Sequence, residues 1–200
     1  MASFLLPVTA ITLLLFVLSP SPSSADLVLD TDGNPLQNGG QYYILPHSKN
    51  TGGLIVDGLV KPGQICPAYV GTAHSGEDGM PLEILSQYRV FHLSTSLPLQ
   101  LTFKPLVPFC GFMPLRWWVA PSDANDQSRI IVGVEGPFKP TYAFFAEKSD
   151  AGQDDDDYDD LKECKDVTIL DDGRLGVAKD SPFPVTFKKK STFPFLAANM

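Results

Sequence analysis

The sequence predicts an all-β fold, a sandwich or barrel built from many short strands. Three observations lead there. The chain carries 18 prolines and 16 glycines in 200 residues, with proline near twice its usual share of about 5%. These residues punctuate the chain so often that a long helix has little room. The runs between them are short and rich in β-branched and aromatic residues, as strands require. Two pairs of segments also echo each other. Leu27-Val28-Leu29-Asp30-Thr31-Asp32-Gly33 resembles Thr168-Ile169-Leu170-Asp171-Asp172-Gly173, and Leu97–Phe103 resembles Phe183–Phe187. Such echoes point to a repeated β-unit. The length suits one domain with a sizeable core, and no linker divides it.

The chain opens on residues 1–25, which contain no Asp, Glu, Lys or Arg. Val8–Leu18 is mostly apolar but too short to cross a bilayer comfortably. Pro- and Ser-rich sequence follows, then Ser23-Ser24-Ala25, with small residues where a signal peptidase reads. We expect residues 1–25 to be a secretory signal peptide cleaved after Ala25, leaving 26–200 as one secreted domain. No second hydrophobic span follows, and the product is expected to be soluble.

Leu27–Gly33 reads as a strand running into an Asp-Gly turn. Asn38-Gly39 is a strong signal for a tight hairpin turn. Gln41–Leu45 follows as a strand. Residues 83–94, EILSQYRVFHLS, read as another, with Arg89 in the middle between Tyr88 and Val90. Taken alone, such an arginine is an ordinary solvated charge on a strand edge. Leu99-Gln100-Leu101-Thr102-Phe103 alternates as a half-buried strand should. Trp117 and Trp118 read as core or rim. Arg129–Val134 and Tyr142–Phe145 have strand character. Asp154–Asp160, interrupted only by Tyr158, reads as a solvated loop, since its spacing does not match a calcium-binding EF-hand. Val167–Leu170 and Pro184–Phe187 complete the strands, and Lys188-Lys189-Lys190 reads as a solvated strand exit.

Composition excludes several functions. A net charge of −8 repels nucleic acid and anionic membrane surfaces, so neither is an expected partner. No P-loop, GxGxxG, HExxH or GxSxG occurs, so no cofactor or metal is expected and an enzyme is the weaker class. His47, His74 and His92 lie apart, without a marked catalytic partner. The three cysteines, Cys66, Cys110 and Cys164, have no metal-ligand spacing. In a secreted chain they suggest one disulfide and one leftover thiol.

Asp26–Pro46, DLVLDTDGNPLQNGGQYYILP, resembles the opening of the plant Kunitz family of the soybean trypsin inhibitor type. The resemblance continues through Cys66-Pro67, Ser86-Gln87-Tyr88-Arg89-Val90, Pro98–Phe103, Cys110 with Pro114 and Trp117, and Cys164. It covers essentially all of residues 26–200. It implies a β-trefoil of twelve strands in three similar units, and a secreted or vacuolar seed or defence protein that inhibits serine proteases. It implies a reactive bond between Arg89 and Val90, on an inhibitory loop that includes Ser86, Gln87, Tyr88 and Phe91. The partner would be a trypsin-like serine endopeptidase, whose specificity pocket has an aspartate at its base that a long cationic side chain reaches. Asn38 matches the family asparagine whose amide supports the loop from behind. Cys66 and Cys110 match the first family disulfide. The second has no counterpart, because Tyr142–Glu147 lacks a cysteine. Cys164 would then be free in a monomer, or would link two chains. Gln87 replaces a proline of well-known members and should loosen the loop slightly. A storage or binding protein on the same trefoil, without inhibition, is the alternative.

Overall fold

The computed structural model describes residues 26–47, 50–60, 63, 66–95, 97–105, 110, 113–120, 128–133, 143–147, 165–178 and 182–191. Residues 1–25, expected to be a signal peptide, and the acidic run, Cys164 and Tyr142 lie outside the described residues. Among those described there are ten strands and no α-helix. The strands are β1 (Gly40–Pro46), β2 (Leu54–Leu59), β3 (Ala68–Thr72), β4 (Leu82–Ser86), β5 (Leu99–Phe103), β6 (Leu115–Val119), β7 (Ser128–Val132), β8 (Asp166–Ile169), β9 (Leu175–Ala178) and β10 (Val185–Lys189).

All pairings between these named strands are antiparallel. Neighbouring strands run β10-β1-β4-β5-β6-β7-β3-β2, and β9 joins β7 to β8. The resemblance implies twelve strands, two more than are named here. Leu27–Asp30 and Phe144 take part only through isolated bridges, Leu27 to Ser94, Leu29 to Pro35 and Phe144 to Leu99, all antiparallel, and Asp30 to Phe187, parallel. Pro35 lacks the N–H that would extend a ladder past it.

Both echoes are visible in the backbone. Asp30 N–H donates to Asn34 O and Gly33 N–H to Asp30 O, and Leu170, Arg174 and Gly173 repeat the same pair of bonds. Gly33 and Gly173 take φ of 78° and 77°, a region in which glycine is unstrained. β5 and β10 each begin directly after the proline of the second echo. Alternation in β5 buries Leu99, Leu101 and Phe103; Thr102 is buried as well, flanked in the ladders by Glu83 and Arg116. Trp117 is core, against Phe103 and edge-on to Phe144, while Trp118 is half-buried.

One strand is shorter than its composition suggests. β4 ends at Ser86, and residues 87–92 are all exposed. Arg89 therefore lies in a loop and not within a strand. The physical reason is a competing partner for the backbone.

Candidate functional site

The loop hangs between two buried anchors. Ser86 is 3% exposed and Leu93 is fully buried. Between them Tyr88, Val90 and Phe91 are apolar and exposed, which is why the segment reads as a strand although no neighbouring strand pairs with it.

Asn38 takes the place of that strand. Its side-chain oxygen accepts from Ser86 N–H at 2.8 Å. Its Nδ2 donates to Tyr88 O and Val90 O, each at 3.1 Å, and to Ser86 O at a longer 3.4 Å. An amide NH2 has two hydrogens, so the third carbonyl shares one. The partners also fix which end is oxygen, since one is a donor and three are acceptors. The Asn38 backbone N–H donates to Phe91 O at 3.0 Å. One residue thus holds backbone groups of Ser86, Tyr88, Val90 and Phe91, about fifty positions away. Within the loop, Val90 N–H donates to Tyr88 O at 2.9 Å, a three-residue turn centred on Arg89. Tyr88 N–H donates to the Ser86 hydroxyl at 3.4 Å.

The turn that carries Asn38 is itself braced. Gly40 N–H donates to Gln37 O, and Gly39 takes a φ of 79°, as the third position of a type II turn requires. The turn leads from an isolated bridge, Gln37 to His92, into β1. The fully buried Tyr42 folds its ring beneath the turn, and its hydroxyl accepts from Gln37 N–H at 2.8 Å. That packing needs glycine at 40, because a Cβ there would stand 2.6 Å from Tyr42 Cε2. The Asn38-Gly39 dipeptide announces the turn in the sequence. Tyr42 as its brace was not foreseen, and the Gly40-Gln41-Tyr42 run is its one local sign.

Arg89 is exposed, and no other described residue takes its guanidinium in a hydrogen bond or ion pair. Cys66 and Cys110 are joined as a disulfide that closes 44 residues including the loop. Among the described residues no group of three His, Cys, Asp or Glu side chains could hold a metal ion.

A second polar assembly escaped sequence reasoning. Arg174 Nε donates to Asp57 Oδ2 at 3.1 Å, and Arg129 Nη1 to Asp172 Oδ2 at 2.7 Å. Both guanidiniums lie over the Tyr69 ring, at 4.3 Å for Arg174 and 5.6 Å for Arg129. Asp57 sits at a β-bulge, where Gly58 has φ 67°. Burial pushes the Asp172 carboxyl up. The hydrogen bond from Arg129, the Arg174 backbone N–H and the two positive charges outweigh it and hold the group below its ordinary value.

A curled all-β chain with one clamped, exposed loop is the architecture of β-trefoil inhibitors. The soybean trypsin inhibitor, solved in complex with porcine pancreatic trypsin, superposes with a TM-score of 0.64 at 28% identity, covering 83% of this chain and all of that one. The water-soluble chlorophyll protein of Brassica oleracea superposes with a TM-score of 0.62 at 19% identity, covering 83% of this chain and 99% of that one, and shares the fold alone. The family described as trypsin and protease inhibitor, the legume Kunitz type, matches residues 28–189. A Kunitz-type trypsin inhibitor of Glycine max is 31% identical over 196 residues, 87% of this chain and 90% of that protein. The chain belongs to this Kunitz family. It is a member of a family of inhibitors and not an enzyme.

Proposed function

We propose that the chain inhibits a trypsin-like serine endopeptidase, with Arg89-Val90 as its reactive bond. The single observation that carries this reading is the Asn38 amide bonded to Ser86, Tyr88 and Val90 behind an exposed arginine. A protease pocket with an aspartate at its base takes a guanidinium through charge-assisted hydrogen bonds. A loop already held in one shape loses little entropy on docking, which is how an interface of ordinary size becomes tight. After cleavage, the same clamp keeps Tyr88 and Val90 together, and the cut bond can reform.

The storage or binding reading has support from fold alone, and it offers no reason to hold the loop backbone so fully. We take the working form to be residues 26–200, secreted after cleavage at Ala25 and monomeric, and N-terminal sequencing of the purified protein checks that start. Titration of trypsin with this form tests the function. The expected result is stoichiometric inhibition that Arg89→Ala abolishes, with its melting temperature unchanged. Equal inhibition by Arg89→Ala would move the reactive site elsewhere. Clean cleavage after Arg89 without inhibition would favour the storage reading.

A further inference from the structure

Arg89 explains selection of a cationic pocket and leaves a second feature of the loop without a use. Phe91 is 90% exposed, which forgoes the burial free energy that a phenylalanine gains in a core. Phe103, by contrast, is 2% exposed. The backbone beneath Phe91 is held on both sides. Val90 O accepts from Asn38 Nδ2 at 3.1 Å, Phe91 O from Asn38 N–H at 3.0 Å, and His92 bridges Gln37. The ring is mounted on fixed backbone, two residues past Arg89. It meets the His92 ring at 6.3 Å between centroids, tilted by 59°, and remains almost wholly in solvent.

We propose that Phe91 is a second specificity residue, which seats its ring in an apolar depression of the protease on the leaving-group side of the Arg89-Val90 bond. The proposal rests on the inhibitor reading above. An aromatic ring brings a large apolar area and only two side-chain torsions to freeze, and such residues dominate the binding energy of interfaces. Among proteases that accept Arg89, the chain therefore favours those whose leaving-side subsite is apolar. It discriminates against those that line this subsite with charge, where a buried phenylalanine leaves polar groups unpaired.

The test compares inhibition constants of the wild type, Phe91→Trp, Phe91→Ala and Phe91→Glu against porcine pancreatic trypsin, with melting temperatures and the rate of cleavage after Arg89 measured in parallel. Phe91→Ala is expected to bind about tenfold to a hundredfold more weakly, through faster dissociation. Phe91→Glu should lose more, and Phe91→Trp should stay near the wild type. Melting temperatures and cleavage rates should not move. If the wild type inhibits and Phe91→Ala inhibits equally, the proposal falls and the Arg89 reading stands. Faster cleavage of Phe91→Ala would assign Phe91 to holding the loop and overturn the proposal as well. A wild type without inhibition overturns both.

Discussion

The polar assembly around Asn38 and the one around Tyr69 work differently. Around Asn38 every bond is neutral and runs from one side chain or its own N–H to the backbone of the loop. Around Tyr69 the bonds are between charges, Asp57 with Arg174 and Arg129 with Asp172, and they fasten the β8–β9 turn to β2 and β7. The disulfide borders this second region, since a Cβ at Gly133, just past β7, would stand 3.1 Å from Cys66 Sγ. Backbone bonds dictate a shape and leave the side chains above free for a partner. Charge pairs on a surface join elements cheaply and shape little. Lesions in the first region should damage inhibition more than stability, and lesions in the second the reverse.

The largest stability effect belongs to the second region. Replacing Cys66 and Cys110 by serine releases a closed span of 44 residues and should cost about 4 kcal/mol on the chain-entropy account, read as a fall in the urea midpoint. Inhibition well below that midpoint should persist. Loss of inhibition with stability intact would erase the distinction between the regions.

Gly40→Ala probes the first region from below. The added Cβ meets Tyr42 Cε2, so the ring or the turn must shift, at about 1–3 kcal/mol. Because Asn38 rides on that turn, inhibition should weaken more than melting alone explains. Unchanged inhibition would show that the clamp does not depend on Tyr42.

Asp172→Asn makes the smallest change. Its folded carboxyl titrates below its ordinary value, so the stability it adds is present at neutral pH and is lost as the pH falls through that folded value. Its side chain is 40% exposed, and solvent screening limits the effect to about 1 kcal/mol or less. The gap between wild type and Asp172→Asn should close as the pH falls through that depressed folded value, below the ordinary carboxylate range. A gap that persists in acid would mean that shape, and not charge, fastens the turn.

Much of this architecture was legible in the sequence. Glycine and proline marked the turns, alternation marked β5, and the Asp-Gly echo located two turns that share the same pair of backbone bonds. The end of β4 was not legible. Tyr88, Val90 and Phe91 have strand composition, and the group that captures their backbone is a side chain about fifty residues earlier. The Tyr69 assembly was hidden for a similar reason. Arg129 and Asp172 are 43 positions apart, and Asp57 and Arg174 are 117 apart, so no local pattern connects them. Asn38 was found through family resemblance, and the residues alone indicated only a turn.

We propose that the Asn38 amide makes the loop an inhibitor and not a substrate. The most direct measurement incubates wild type and Asn38→Ala with catalytic amounts of trypsin, following cleavage after Arg89 and residual inhibition. Removing the amide leaves the buried Ser86 N–H without its partner, so stability should fall by about 1–3 kcal/mol while the fold survives. The wild type should stay intact and inhibitory, whereas Asn38→Ala should be cut between Arg89 and Val90 and lose inhibition as it is cut. A folded Asn38→Ala protein that resists cleavage and inhibits stoichiometrically would overturn that role for the amide.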